Sequence, residues 1–171
     1  KESRKNGGKV IIIDPWLNQT AQPLADDWVP ITPGTDIALL LGMANVLIEE
    51  DLYDHDFVEK WCYGFEELKE RADEFDTKRV SEITWVPEDK IVAAARMLGN
   101  AKNSTLQWGV AVDMTREAMP AGQAILALWE ITGNMERPGG MIVAPEILSV
   151  AGGWGREILG PEQEAKRIGI Q

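Results

Sequence analysis

The chain has 171 residues, 44% of them apolar and 26% charged, and a formal net charge of −11. That is the profile of one globular domain, large enough to bury a core without disulfides or a structural metal. Seventeen basic residues against 28 acidic ones argue against nucleic acid, whose binding rests on clustered cations, and no stretch approaches the ~18 uninterrupted apolar residues of a membrane span. One cysteine, Cys62, and one histidine, His55, exclude an internal disulfide framework and a Cys/His ligand set for zinc or an iron–sulfur cluster.

In chain order, residues 9–13 (Lys-Val-Ile-Ile-Ile) read as a strand buried on both faces, too continuous for a half-solvated strand and too short for a helix. Asp14-Pro15 ends it. Residues 16–34 carry Pro23, Pro30 and Pro33 with little periodicity and read as a long loop held by tertiary contacts or a ligand. Residues 36–48 form the clearest helix, with Thr35 as N-cap and Asp36 in the first turn. Being apolar almost all round, it is expected to pack against a sheet. Shorter helices follow at 56–62 and 65–73, and another begins near Pro87 and stops at Gly99-Asn100. Residues 105–110 read as a second buried strand, and a helix from about Pro120 stops at Gly133-Asn134. The alternation implies an α/β domain over residues 1–150 with a mainly parallel sheet. Residues 151–171 read as a tail or inter-domain connection.

In such folds ligands collect at the carboxyl ends of the strands. Asp14 stands there, either closing an Asx turn on its own backbone or accepting hydrogen bonds from a ribose. Asp36 is stabilised in a first helical turn in any case. With Pro33, Gly34 and Thr35, however, it sits on a rigid turn open to close approach, and a carboxylate can accept two hydrogen bonds from the N1 and N2 edge of guanine. No Gly-x-Gly-x-x-Gly follows the first strand and no Gly-Lys-Ser/Thr phosphate loop occurs, which removes the usual support for NAD or ATP. His55 lies in a polar run and reads as a solvated surface residue; Cys62, between Trp61 and Tyr63, reads as a packed thiol.

Ile13-Asp14-Pro15, Thr20-Ala21, Ala25-Asp26-Asp27-Trp28 and Pro33-Gly34-Thr35-Asp36-Ile37-Ala38-Leu39 resemble the guanosine-binding stretch of the molybdopterin oxidoreductases of the dimethyl sulfoxide reductase family. Leu52-Tyr53-Asp54, Phe57-Val58, Gly109, the run from Leu128 to Gly133-Asn134, and Arg137-Pro138-Gly139-Gly140 continue the pattern in order, over about residues 8–146. The resemblance implies a Rossmann-like three-layer sandwich that grips one molybdopterin guanine dinucleotide, carrying molybdenum or tungsten, in a larger enzyme. It implies Asp14 as a ribose contact and Asp36 as a guanine contact. It also places Gln107, Trp108 and Gly109 near the cofactor and Gly140 at a turn close by, with core packing an equal reading for Trp108. Where the family usually carries Arg after Asp-Pro, this chain carries Trp16, a flat indole in place of a charge.

The iron–sulfur cysteines and the metal ligand of such enzymes belong to other segments. The chain starts at Lys1 without an initiator Met or a secretory apolar run and is expected to be a fragment. Its expected partners are the remaining domains of the parent and an electron-transfer subunit. No metal or cofactor is expected to stay on the isolated chain, and no catalytic residue is expected in it. The alternative is the corresponding domain of a respiratory-chain subunit that keeps the fold without the cofactor.

Overall fold

The computed structural model describes residues 2–19 and 21–142; the segment 151–171, read from the sequence as a tail or connection, lies outside them. A short helix α1 (Glu2–Lys5) precedes strand β1 (Ile11–Ile13), which pairs in parallel with β2 (Asp27–Val29) in the register Ile11 to Asp27 and Ile13 to Val29. The connection between them is just long enough for the dozen or so residues that a parallel crossover requires. Asp26 fastens this end of the molecule. Its carboxylate accepts Val10 N–H at 2.9 Å and an Arg4 guanidinium N–H at 2.9 Å, while its own N–H donates to Val10 O.

Helix α2 (Asp36–Glu49) is the axis of the core, with Leu39 and Leu47 almost wholly buried. Around it lie α4 (Phe65–Asp73), α5 (Thr77–Thr84), α6 (Glu88–Gly99) and α8 (Ala118–Ile131), with α3 (His55–Trp61) and the one-turn α7 (Val110–Asp113) against α8. Asp54 and Asp76 start α3 and α5 by accepting the N–H groups of Phe57 and Arg79, each satisfying one of the orphan donors of a helix start. Helix α8 ends in a Schellman motif, Asn134 N–H to Trp129 O and Gly133 N–H to Glu130 O, with Gly133 at φ +65°.

Four expectations are corrected. Residues 105–110 form no strand. Ser104 is held at the C-terminal end of α8, its N–H donating to Asn134 Oδ1 and its carbonyl accepting Trp129 Nε1, and the chain then continues without regular structure, Leu106 and Trp108 packing on the core, to Gly109, which opens α7. The β-favouring side chains have no partner strand there among the described residues, and a strand exists only through its neighbour. Residues 16–34 are not all loop, since β2 lies within them. The first strand is not buried on both faces: Ile11 and Ile12 are half-buried and Ile13 is exposed, because β1 has one neighbour among the described residues. Finally, α2 packs against the helices α4, α5, α6 and α8 rather than against the sheet. Among the described residues the protein is mostly helical with a two-stranded parallel sheet.

Candidate functional site

The parallel pairing of β1 and β2 sends both chains out of the sheet on the same side. Asp14 leaves β1 there, and the segment from Pro30 to Asp36 leaves β2 beside it. Asp14 N–H donates to Val29 O at 3.2 Å, and its carbonyl accepts Trp28 Nε1 at 2.8 Å, which fixes the two exits to each other. The Asp14 carboxylate accepts Trp16 N–H at 2.7 Å through Oδ1, an Asx turn. The turn engages one oxygen, and no hydrogen bond to Oδ2 is formed among the described residues. Trp16 projects its indole from that turn, 75% exposed.

After β2, Thr32-Pro33-Gly34-Thr35 closes a turn through Thr35 N–H to Thr32 O at 3.2 Å. Gly34 at φ +82° takes the third position, where a type II turn needs a left-handed residue. A Cβ on Gly34 would meet nothing within 4 Å, so the strained backbone, not crowding within the chain, calls for glycine. Thr35 occupies the N-cap position of α2 as expected, yet makes no capping bond. Its hydroxyl turns back to Thr32 O at 2.7 Å. The half-buried Asp36 carboxylate accepts no hydrogen bond among the described residues. The first turn of α2 thus presents backbone N–H groups without a side-chain cap and a carboxylate without a partner among the described residues, on a turn open to approach.

The other expected residues are divided between the two ends of α8. Gln107 is exposed, Trp108 is half-buried with its Nε1 donating to Asp113 Oδ1 at 2.9 Å, and Gly109 lies open, with nothing within 4 Å of a built Cβ. Because φ at Gly109 is −92°, neither backbone nor packing within the described residues demands glycine there. Gly140 sits at the opposite end. It closes the turn Arg137-Pro138-Gly139-Gly140 (N–H to Arg137 O, 2.9 Å), and a Cβ on it would collide with Asn134 O. The turn itself therefore accounts for this glycine.

A hollow among the described residues lies elsewhere. A cleft of about 300 Å3 is lined by Asp54, Phe57, Lys60, Trp61, Gly133 and Arg137, among others, and by none of the residues expected from the sequence. It follows the C-terminus of α2, whose 14 residues put roughly 20 Å between it and Asp36. Cys62, nearby, packs against the core, and burial, helped by Glu130 and Asp54, pushes its thiol pKa up, the opposite of an activated nucleophile. His55 is exposed and meets Asp51 Oδ1 at 2.7 Å. No group of three or more metal-ligating side chains occurs among the described residues, and no helix there is long and apolar enough to cross a membrane.

Comparison with known proteins shows the family. The family described as Molybdopterin oxidoreductase matches residues 1–159. The chain is 41% identical over 145 residues to acetylene hydratase of Syntrophotalea acetylenica, covering 85% of this chain and 20% of that protein. It is 35% identical over 136 residues to formate dehydrogenase H of Escherichia coli (80% of this chain, 19% of that one), and 35% identical over 156 residues to dimethyl sulfoxide reductase DmsA of the same species (80% and 19%). The structure superposes on acetylene hydratase from Pelobacter acetylenicus with a TM-score of 0.79 at 41% identity, over 84% of this chain and 20% of the other. The chain thus spans about a fifth of the length of these relatives, and it belongs to the molybdopterin oxidoreductase family.

Proposed function

We propose that this chain is the part of a larger molybdenum or tungsten oxidoreductase that holds the guanosine end of a molybdopterin guanine dinucleotide, within a Rossmann-like sandwich to which β1 and β2 contribute two strands. The observation that carries the reading is the Asp36 carboxylate, unpartnered among the described residues at the start of α2, on a turn whose Gly34 faces open space. A guanine edge supplies the two donors that such a carboxylate lacks, and the helix N-terminus favours the charge. Asp14, with one oxygen in its Asx turn and the other unengaged among the described residues, suits a ribose hydroxyl. The open Gly109, beside Gln107 and Trp108, suits close approach of the rest of the dinucleotide. Gly140 closes the turn that follows the other end of α8, away from Asp36.

When bound, the cofactor supplies the redox chemistry at its metal. The residues of this chain bind and orient it. The substrate, the iron–sulfur cluster and the electron-transfer partner belong to the remaining four-fifths of an enzyme of the relatives' size.

Calorimetric titration of the chain with GDP and with ADP tests the reading. GDP is expected to bind weakly and ahead of ADP, because the other domains that would complete the site are missing from the experiment. Preference for ADP would remove the guanine assignment.

A further inference from the structure

Among the described residues, no hydrogen bond or core contact explains the side chain of Trp85. It is 79% exposed, so it adds little to the core, and it caps α5 at φ +62°, a conformation in which a bulky side chain is an outlier and glycine is at ease. Its place in the backbone is nevertheless fixed. Trp85 N–H donates to Ser81 O at 2.9 Å, and its neighbours Thr84 and Val86 are both fully buried. The Thr84 hydroxyl donates to Val80 O at 2.7 Å and accepts Val86 N–H at 3.2 Å. An exposed indole on a pinned, strained backbone is the kind of outlier from which a binding role is inferred.

The pinning also sets its neighbourhood. The Thr84 carbonyl accepts two hydrogen bonds from Thr32, from N–H at 3.0 Å and from the hydroxyl at 2.9 Å. Thr32 is the first residue of the turn that runs through Gly34 to Asp36. Trp85 is therefore one residue from a double clamp on the turn that presents Asp36, and the two segments are held as one piece.

We propose that Trp85 is a stacking wall for the purine base whose edge Asp36 holds. The assignment rests on the guanosine-binding reading above and adds a second contact to it. A carboxylate grips the edge of a base and leaves its face open, and the exposed Trp85 indole is a flat apolar surface one residue from the clamp on this turn. Stacking of a base on an aromatic side chain corresponds to roughly a fivefold to hundredfold change in affinity on truncation.

The test uses the cofactor-loaded enzyme that contains this chain, as wild type, Trp85→Gly, Trp85→Phe and Asp36→Asn. Guanine retained per polypeptide after dilution into mild denaturant is measured together with the melting temperature. Trp85→Gly is expected to lose cofactor at least fivefold more readily while melting no lower than wild type once stripped, since glycine relieves the left-handed backbone. Trp85→Phe is expected to retain most of the cofactor. If Trp85→Gly keeps its cofactor while Asp36→Asn loses it, the stacking role is overturned and the guanosine reading stands. If neither variant loses cofactor, the guanosine reading itself fails. If stripped Trp85→Gly melts well below wild type, the indole is a structural residue and the proposal is wrong.

Discussion

Asp54 and Gly133 lie against each other so closely that a Cβ on Gly133 would overlap the Asp54 carboxylate. The contact joins the start of α3 to the end of α8, and Asp54 N–H donates to Ile131 O at 2.7 Å across the same junction. Gly133 is needed twice, for its φ of +65° and for the space its side chain leaves to the residue that caps α3.

Gly133→Ala is therefore expected to destabilise the protein by roughly 2–4 kcal/mol, the left-handed penalty plus displacement of the cap. Asp54→Ala removes the cap alone and costs about 1 kcal/mol. In the double variant the overlap with the carboxylate is removed and only the tight approach to the Cβ of residue 54 stays, so the combined loss is smaller than the sum of the two. Urea denaturation of all four proteins checks this. Strict additivity would show that Asp54 moves aside without cost.

Gly109→Ala separates a ligand role from a folding role. The position has an ordinary φ and open surroundings, so the substitution is expected to change folding stability by less than about 0.5 kcal/mol. In the assembled enzyme the proposed approach of the cofactor to Gly109 predicts that the added methyl lowers cofactor retention. Unchanged retention in the loaded enzyme would remove Gly109 from the site.

Acid sensitivity should be found at the Arg4, Val10 and Asp26 staple. The backbone N–H of Val10 does most to hold the Asp26 carboxyl below the usual carboxylate range; desolvation opposes it, and the Arg4 side chain and the charge of Lys9 add to the lowering. A depressed folded-state pKa contributes stability that is complete above the unfolded-state value of about 4 and is lost as pH falls through the folded value. Asp26→Asn is expected to melt lower than wild type at neutral pH, with the gap closing below about pH 4. A gap independent of pH would mean that packing, not charge, holds the staple.

The long helices are legible in the sequence because their apolar spacing and end signals agree. Residues 65–73 coincide with α4 (Phe65–Asp73), and 36–48 falls one residue short of α2 (Asp36–Glu49). Helix α5 goes unread although Asp76 is a good N-cap and Val80 and Thr84 stand four apart on its buried face; at eight residues its periodicity is too short to stand out. Strand β2 is hidden for a different reason. Asp27-Trp28-Val29 carries no local signal, and only pairing with β1 makes it a strand. Conversely, residues 105–110 have the composition of a strand and meet no partner among the described residues. In the proposed site, the turns that carry Asp14, Gly34 and Asp36 are legible because turn chemistry is local. Trp85 is not, because its link to that turn is the long-range bond between Thr32 and Thr84.

The central claim is that Asp36 serves a guanine rather than the helix it begins, and Asp36→Asn in the cofactor-loaded enzyme tests it most directly. Asn serves a helix start about as well as Asp, so the fold loses only the small first-turn charge contribution. At the base edge, an NH2 group replaces one acceptor and faces a donor. Losing a hydrogen bond to a charged group corresponds to about a tenfold to hundredfold weakening. The measurement is guanine retained per polypeptide after dilution into mild denaturant, with the melting temperature of the stripped protein alongside. The account predicts lost cofactor at an unchanged melting temperature. Retained cofactor with a melting temperature several degrees lower would contradict it.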